Sequence, residues 1–270
     1  MHIVRAFFPA LLISLVLALA GCSDSERSTL EFQNETENSS ASLALRIING
    51  TEVSREASPQ FVEVLLTYPD GSTGLCSGTI IGGQAVLSAG HCFRNGESKI
   101  EIRTVKGVLP VLALHIPEAY RVEESVNAIF ADAAILMTPP HGLPGLGFLV
   151  SPAVESAAVG SVYGFGLDEN GEFGTLKSGE TFIEIATPNH FIATEFSGVG
   201  TNSCNGDSGG PLLQFLPAEE NRPARVGIVG LVSSGTAADC VSNDRTLFTN
   251  LQNPSLLGFI LKFAPGAVLY

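Results

Sequence analysis

Ser208 stands in Cys204-Asn205-Gly206-Asp207-Ser208-Gly209-Gly210-Pro211, a hydroxyl set among glycines. Missing side chains beside a serine let a substrate carbonyl approach and let backbone N–H groups converge on one point, which a nucleophile and an oxyanion hole both require. A hydroxyl becomes a useful nucleophile only when an adjacent base takes its proton and a third group fixes the tautomer of that base. His91, in Leu87-Ser88-Ala89-Gly90-His91-Cys92, follows an apolar run and is a candidate base. Asp132 is the one acid in the apolar run Phe130–Met137. A buried acid is costly unless it is hydrogen-bonded, so a histidine partner gives Asp132 a reason to be there.

Chain order separates the possible arrangements. Five histidines are present and the last of them, His190, precedes Ser208. An α/β-hydrolase elbow, whose Gly-x-Ser-x-Gly pattern the serine segment also fits, places its histidine after the serine and is excluded. The subtilisin order needs an aspartate before the histidine, for which Asp70, in a turn, is the only plausible candidate. The order His91, Asp132, Ser208 remains. His115, His141 and His190 are scattered and show no metal-ligand spacing, so neither a metal nor a cofactor is expected. Gly164-Phe165-Gly166 reads as a turn rather than a phosphate loop.

The elements that must position these groups are short strands. Of 270 residues, 45% are hydrophobic and 15% charged, enough for a packed core, and 29 glycines and 15 prolines favour turns over long helices. Strand-like runs fall at 61–68, 75–81, 85–89, 100–105, 108–116, 161–165, 181–186, 191–195, 225–233 and 245–251, and their spacing suggests an all-β barrel or sandwich. Helical spacing is confined to 254–263. The net charge is −13 with no basic patch, which excludes nucleic acid as an expected partner.

The chain opens with Arg5, an apolar run over 6–20 and then Gly21-Cys22, too short for a comfortable membrane span. Leu19-Ala20-Gly21-Cys22 resembles the bacterial lipoprotein export signal, which implies cleavage after residue 21 and a lipid on Cys22. An exported, membrane-anchored chain facing the periplasm or cell surface is expected, and Ser23 resembles the sorting position of outer-membrane lipoproteins. Residues 22–46 are polar and read as a tether or pro-segment. With Cys22 assigned to lipid, Cys76, Cys92, Cys204 and Cys240 form an even set for two disulfides in an oxidising compartment.

The Ala89-Gly90-His91-Cys92 and Gly206-Asp207-Ser208-Gly209-Gly210-Pro211 motifs together resemble the trypsin/chymotrypsin family of serine proteases, over about residues 47–263. Asp132-Ala133-Ala134-Ile135-Leu136 matches the third motif less tightly. The resemblance implies two packed six-stranded antiparallel β-barrels with a short C-terminal helix, in a protease domain spanning 47–270. It implies a serine endopeptidase acting on protein or peptide substrates, with His91 as base, Asp132 as its orienter and Ser208 as nucleophile. The oxyanion hole would be the N–H groups of Gly206 and Ser208, and Ser233 would support Asp132 and the substrate backbone. The resemblance also implies the bridges Cys76–Cys92 and Cys204–Cys240.

The same resemblance implies a zymogen. Ile47-Ile48-Asn49-Gly50 after Arg46 matches the family's activation site, and the freed Ile47 ammonium would pair with Asp207. Substrate selection is expected from Asn202, Ser233, Gly235 and Thr246. Asn202 holds the position six residues before the nucleophile and carries no charge, so a neutral residue before the scissile bond is expected, with Asp239 as a source of residual basic preference. Such an enzyme would need another protease to cut after Arg46, a cut that would also release it from the membrane. The alternatives are a catalytically inactive protease-like binding module and an esterase using the same triad.

Overall fold

The computed structural model describes residues 47–270 apart from Glu169, Asn221 and Ser242. The export signal expected over 1–21, the tether over 22–46, Cys22 and Arg46 lie outside the described residues. In chain order the strands are β1 (Thr51–Glu52), β2 (Phe61–Thr67), β3 (Thr73–Gly82), β4 (Ala85–Ser88), β5 (Lys99–Thr104), β6 (Gly107–Pro110), β7 (Ala113–His115) and β8 (Arg121–Glu123). They continue with β9 (Ala128–Phe130), β10 (Ala134–Met137), β11 (Val159–Gly164), β12 (Lys177–Ala186), β13 (His190–Ala193), β14 (Pro211–Leu216), β15 (Arg225–Gly235) and β16 (Thr246–Asn250). One helix, α1 (Pro254–Phe263), follows.

The strands make two principal antiparallel sheets. The first is a curled sheet in the order β6-β5-β2-β3-β4-β10-β7. The second runs β1-β12-β11-β14-β15-β16-β13, and an additional β12–β13 pairing closes six of its strands into a barrel. The fold is the all-β, double-barrel class that the sequence suggested, with closure in the second sheet and a curled half-barrel in the first.

Side-chain alternation explains why the sheets curl and stack. On β2, Val62, Val64 and Leu66 point into the first sheet with Val86, Ile102 and Leu136, while Phe61 faces the other way. Phe61, Leu87 and Ile135 meet Phe165, Leu213, Ile228 and Leu231 of the second sheet in one shared core, which Leu256 and Ile260 of α1 also enter. Inside the closed barrel lie Val162, Ile183, Phe191, Leu212 and Phe248. Burial on both faces of a strand is what welds two sheets together. Helix α1 starts where Asn253 Oδ1 accepts the N–H groups of Ser255 and Leu256 at 3.0 and 3.3 Å, with Pro254 in the first turn.

Several strand readings change. The run expected as one strand over 108–116 divides into β6, which pairs with β5, and β7, which pairs with β10. β6 ends at Pro110, whose nitrogen has no proton to extend a ladder. β1, β8, β9, β10 and β14 were not among the expected strands; β1, β8 and β9 are only two or three residues long, and β10 and β14 begin two and three residues after Asp132 and Ser208.

Candidate active site

The first sheet carries the candidate base. Beyond β4 the chain makes a single turn over Gly90–Phe93, and this turn carries His91. The Cys76–Cys92 disulfide ties the turn back to β3. A side chain on Gly90 would stand 2.9 Å from the Ala133 carbonyl oxygen, so the turn packs directly on the segment that presents Asp132.

Asp132 is fully buried and both oxygens are used. Its Oδ1 accepts the His91 backbone N–H at 2.8 Å, while Oδ2 lies 2.8 Å from His91 Nδ1 and accepts the Ser233 hydroxyl at 2.5 Å. A carboxylate only accepts, so Nδ1 carries the proton and Nε2 is left with its lone pair. That Nε2 lies 3.0 Å from Ser208 Oγ. Thr249 on β16 also donates to the Asp132 carbonyl at 3.1 Å. The acid of one sheet is therefore held by Ser233 and Thr249 of the other.

The second sheet carries the candidate nucleophile. Gly206 and Gly209 have φ of 93° and 80°, a region that side chains disfavour. A Cβ on Gly209 would stand 2.3 Å from Ser88 Oγ, so this turn lies hard against β4. The Ser77 N–H donates to the Ser208 carbonyl at 2.8 Å, and Gly209 N–H to the Val232 carbonyl at 2.8 Å. Ser77 Oγ donates to the Gly206 carbonyl at 2.8 Å and accepts the Phe165 N–H at 2.9 Å. No hydrogen bond among the described residues uses the N–H of Gly206 or of Ser208. Two unspent donors beside a nucleophile are what an oxyanion needs. Ser77 was not singled out from the sequence; its place directly after Cys76 was the only available signal.

Asp207 is buried between the nucleophile and the loop after β11. Its carboxylate accepts the Gly166 N–H at 2.8 Å and the Cys204 N–H at 2.9 Å, and no cation pairs with it among the described residues. Burial pushes its pKa up to about 7, against the opposing effect of the two backbone donors. Side chains on Gly164 or Gly166 would stand 2.1 and 2.6 Å from its Oδ1, so the turn read as structural from the sequence has a definite task. Those two glycines vacate the space that the carboxylate fills. Ile47 is buried in the core of the closed barrel with Val154 and Val162, and the Ile48 carbonyl accepts the Asn202 N–H at 3.1 Å.

A cleft of about 440 Å³ leads away from the triad, lined by His91, Ser208, Ser203, Ser233, Gly235 and Asp244 among others. Ser233 and Gly235 are both in its lining. Asn202 and Thr246 stand behind that lining, where the Asn202 amide donates to the Cys240 carbonyl and to Asp244 Oδ2, both at 2.8 Å. The Thr246 hydroxyl donates to Asn202 Oδ1 at 2.9 Å. Cys204 and Cys240, both in the lining, are joined by a disulfide. Asp239 is exposed, and its Oδ1 accepts the Val241 N–H at 3.1 Å. Asp244 escaped the sequence reading altogether. The other histidines serve the scaffold: His190 Nε2 lies 2.8 Å from the Ile129 carbonyl, and His115 stacks on Phe263.

A hydroxyl, an imidazole and a buried carboxylate in hydrogen-bonded series, at the seam of a barrel and a half-barrel, define the class of serine hydrolases. The protein-family model described as Trypsin matches residues 47–255. Lectizyme of Glossina austeni is 28% identical over 227 residues, covering 70% of this chain and 77% of that protein. Coagulation factor XII of Bos taurus is 28% identical over 201 residues, covering 60% of this chain and 32% of that one. The solved HL collagenase structure superposes with a TM-score of 0.62 at 19% identity, over 81% of this chain and 98% of that chain, a likeness of fold. The chain belongs to the trypsin family of serine proteases.

Proposed function

We propose that the protein is a serine endopeptidase with His91, Asp132 and Ser208 as its catalytic triad. The observation that supports this reading best is the continuous series from Asp132 Oδ2 through His91 to Ser208 Oγ, at 2.8 and 3.0 Å. Ser208 Oγ attacks the scissile carbonyl while its proton passes to His91 Nε2. The oxyanion accepts hydrogen bonds from the Gly206 and Ser208 N–H groups. His91 then returns the proton to the departing amine, leaving an acyl ester on Ser208, and a water deprotonated by His91 releases the acid. Asp132 stays ionised and stabilises the imidazolium, with Ser233 holding it in place.

In the same proposal the chain is made as a zymogen, with a signal at 1–21, a lipid on Cys22, a tether over 22–46 and the protease domain at 47–270. Cleavage after Arg46 frees the Ile47 ammonium, which pairs with Asp207 and releases the domain from its membrane anchor. The buried, cation-free carboxylate of Asp207 supports this reading. The neutral preference expected from Asn202 is not carried forward, since its amide is spent on Asp244 and Cys240 behind the cleft lining.

A fluorophosphonate probe tests both parts, applied before and after the cut at Arg46, with the label located by peptide mass. Label on Ser208 only after the cut is expected. Label before the cut keeps the enzyme and removes the switch. No label in either state of a folded protein overturns the triad assignment.

A further inference from the structure

We propose that the buried pair Lys177 and Asp168 positions the oxyanion hole, by fixing a turn that holds the Gly206 N–H toward the reacting carbonyl. This rests on the endopeptidase reading above and names positioning residues that act through Gly206 without touching substrate. Gly206 lies in a slot. A Cβ there would stand 2.9 Å from Gly166 Cα and 3.1 and 3.2 Å from two ring carbons of Phe173. Both neighbours belong to the turn between β11 and β12. The same turn sends the Leu167 N–H to the Asn205 carbonyl at 2.7 Å. That carbonyl and the Gly206 N–H share one planar trans peptide, in which the two groups point in opposite directions. Holding the carbonyl on the turn therefore holds the N–H away from it, where no described residue accepts it.

Asp168 gives the turn its shape. Its Oδ1 accepts the N–H groups of Asn170 and Glu172, both at 2.8 Å, and its backbone N–H donates to the Glu172 carbonyl at 3.0 Å. The Gly174 N–H closes the turn on the Phe165 carbonyl at 2.9 Å. Oδ2 lies 3.9 Å from Lys177 Nζ, and both side chains are 1% exposed. Lys177 is the first residue of β12, paired with Gly164 of β11 and Glu52 of β1, so its cation stands on the closed barrel. Among the described residues Nζ makes no hydrogen bond, and Asp168 supplies its countercharge. Packing alone does not call for such a pair, since apolar residues of like size would fill the space without desolvating two charges. What the pair adds is a fixed place for the turn. Phe173 is 52% exposed, so the turn and not the core keeps its ring over Gly206.

Removing the Lys177 charge leaves a carboxylate buried alone, which draws the turn toward water. Leu167 and Phe173 move with it, the Asn205–Gly206 peptide gains freedom to rotate, and the oxyanion loses one of its two donors. Ser233 and Gly235, which line the cleft from β15, stay where they are. The loss therefore falls on the transition state and spares ground-state binding.

The rival account is that the pair only stabilises the fold. The test uses the full chain cut after Arg46, with active sites counted by fluorophosphonate labelling taken to completion. Inhibition constants are measured for a peptide aldehyde and the matching peptide amide, both built on a sequence that the wild type cleaves. The aldehyde adds to the serine hydroxyl and places an oxyanion in the hole, whereas the amide binds as a ground state. In Lys177→Met and in Phe173→Ala the aldehyde-to-amide affinity ratio should fall about tenfold or more, with kcat falling alike and KM held within about twofold. Adding Asp168→Asn to Lys177→Met removes the orphaned charge, keeps an oxygen for Asn170 and Glu172, and should restore the ratio to within about threefold of wild type. A lowered Tm with an unmoved ratio in either single variant means a structural role alone and overturns the proposal. So does a double variant as impaired as Lys177→Met. Phe173→Ala, which changes a half-exposed ring, decides the matter if Lys177→Met does not fold. Absence of both cleavage and label at Ser208 in folded wild type would instead overturn the peptidase reading on which the proposal rests.

Discussion

Cutting after Arg46 should change how the stability of this protein depends on pH, and Asp207 should carry the change. In the uncut chain its pKa lies near 7, well above the ordinary carboxyl value of 3.8. A carboxyl whose pKa is raised by folding contributes its full stability below the unfolded value, and that contribution is lost as pH rises through the folded one. The difference of about 3 units is worth roughly 4 kcal/mol at neutral pH. A new ammonium at Ile47 would hold the carboxylate ionised and remove that loss. The perturbation is therefore the cut itself, made by an added protease in Ser208→Ala protein so that no self-digestion intervenes. The gap in stability between cut and uncut forms should widen by about 1.4 kcal/mol per pH unit between roughly pH 4 and 7. For a domain of this size each kcal/mol moves Tm by about 2–4 °C, so the gap should grow by roughly 8–16 °C across that range. Scanning calorimetry of both forms at several pH values reads it, since the groups common to both forms cancel in the difference and the two termini that the cut creates ionise mainly outside this window. Parallel Tm curves for the two forms would refute the reasoning, because the Asp207 carboxylate would then gain no partner.

Ser208→Ala should lower kcat/KM by about 10³-fold or more while leaving the fold intact by circular dichroism; residual turnover near wild type would sink the triad. Ser233→Ala removes the 2.5 Å donor from the buried Asp132 oxygen, and about 1–3 kcal/mol of stability should go with it, measured by urea denaturation. Gly166→Ala places a carbon 2.5 Å from Asp207 Cγ, so label at Ser208 in the cut form should fall sharply; labelling equal to wild type would show that the space is not needed. Joint replacement of Cys76 and Cys92 by alanine frees a 16-residue span beside His91, and a stability loss of about 3 kcal/mol is expected in thermal unfolding.

The proposed triad could be picked out along the chain because its cues are local: glycines beside Ser208, a cysteine beside His91, one acid in an apolar run, and an order that excluded other arrangements. The helix at 254–263 was legible for a similar reason, as Asn253 and Pro254 mark its start within a few residues. Asp244 was not. Its place beside the cleft depends on Asn202, 42 residues earlier, and on the space that Gly235 leaves open, and neither relation produces a pattern along the chain. Ser77 was hidden likewise, its hydroxyl acting 129 residues away at Gly206. Lys177 and Asp168 were not singled out either; they lie 3.9 Å apart and both are almost wholly buried.

The anchoring of Asp132 by Ser233 and Thr249 has a consequence for biosynthesis. His91 and Ser208 are separated by 117 residues, and the hydroxyls that steady Asp132 come 101 and 117 residues after it. A chain emerging in order therefore holds its base long before it holds a nucleophile, and a nucleophile before the acid is secured. Partial products ending before Thr249 lack a finished relay, so a stalled or truncated chain would lack the arrangement that the proposed hydrolysis needs. Hydrolytic competence becomes a readout of completion, available only once both sheets have been made and have met.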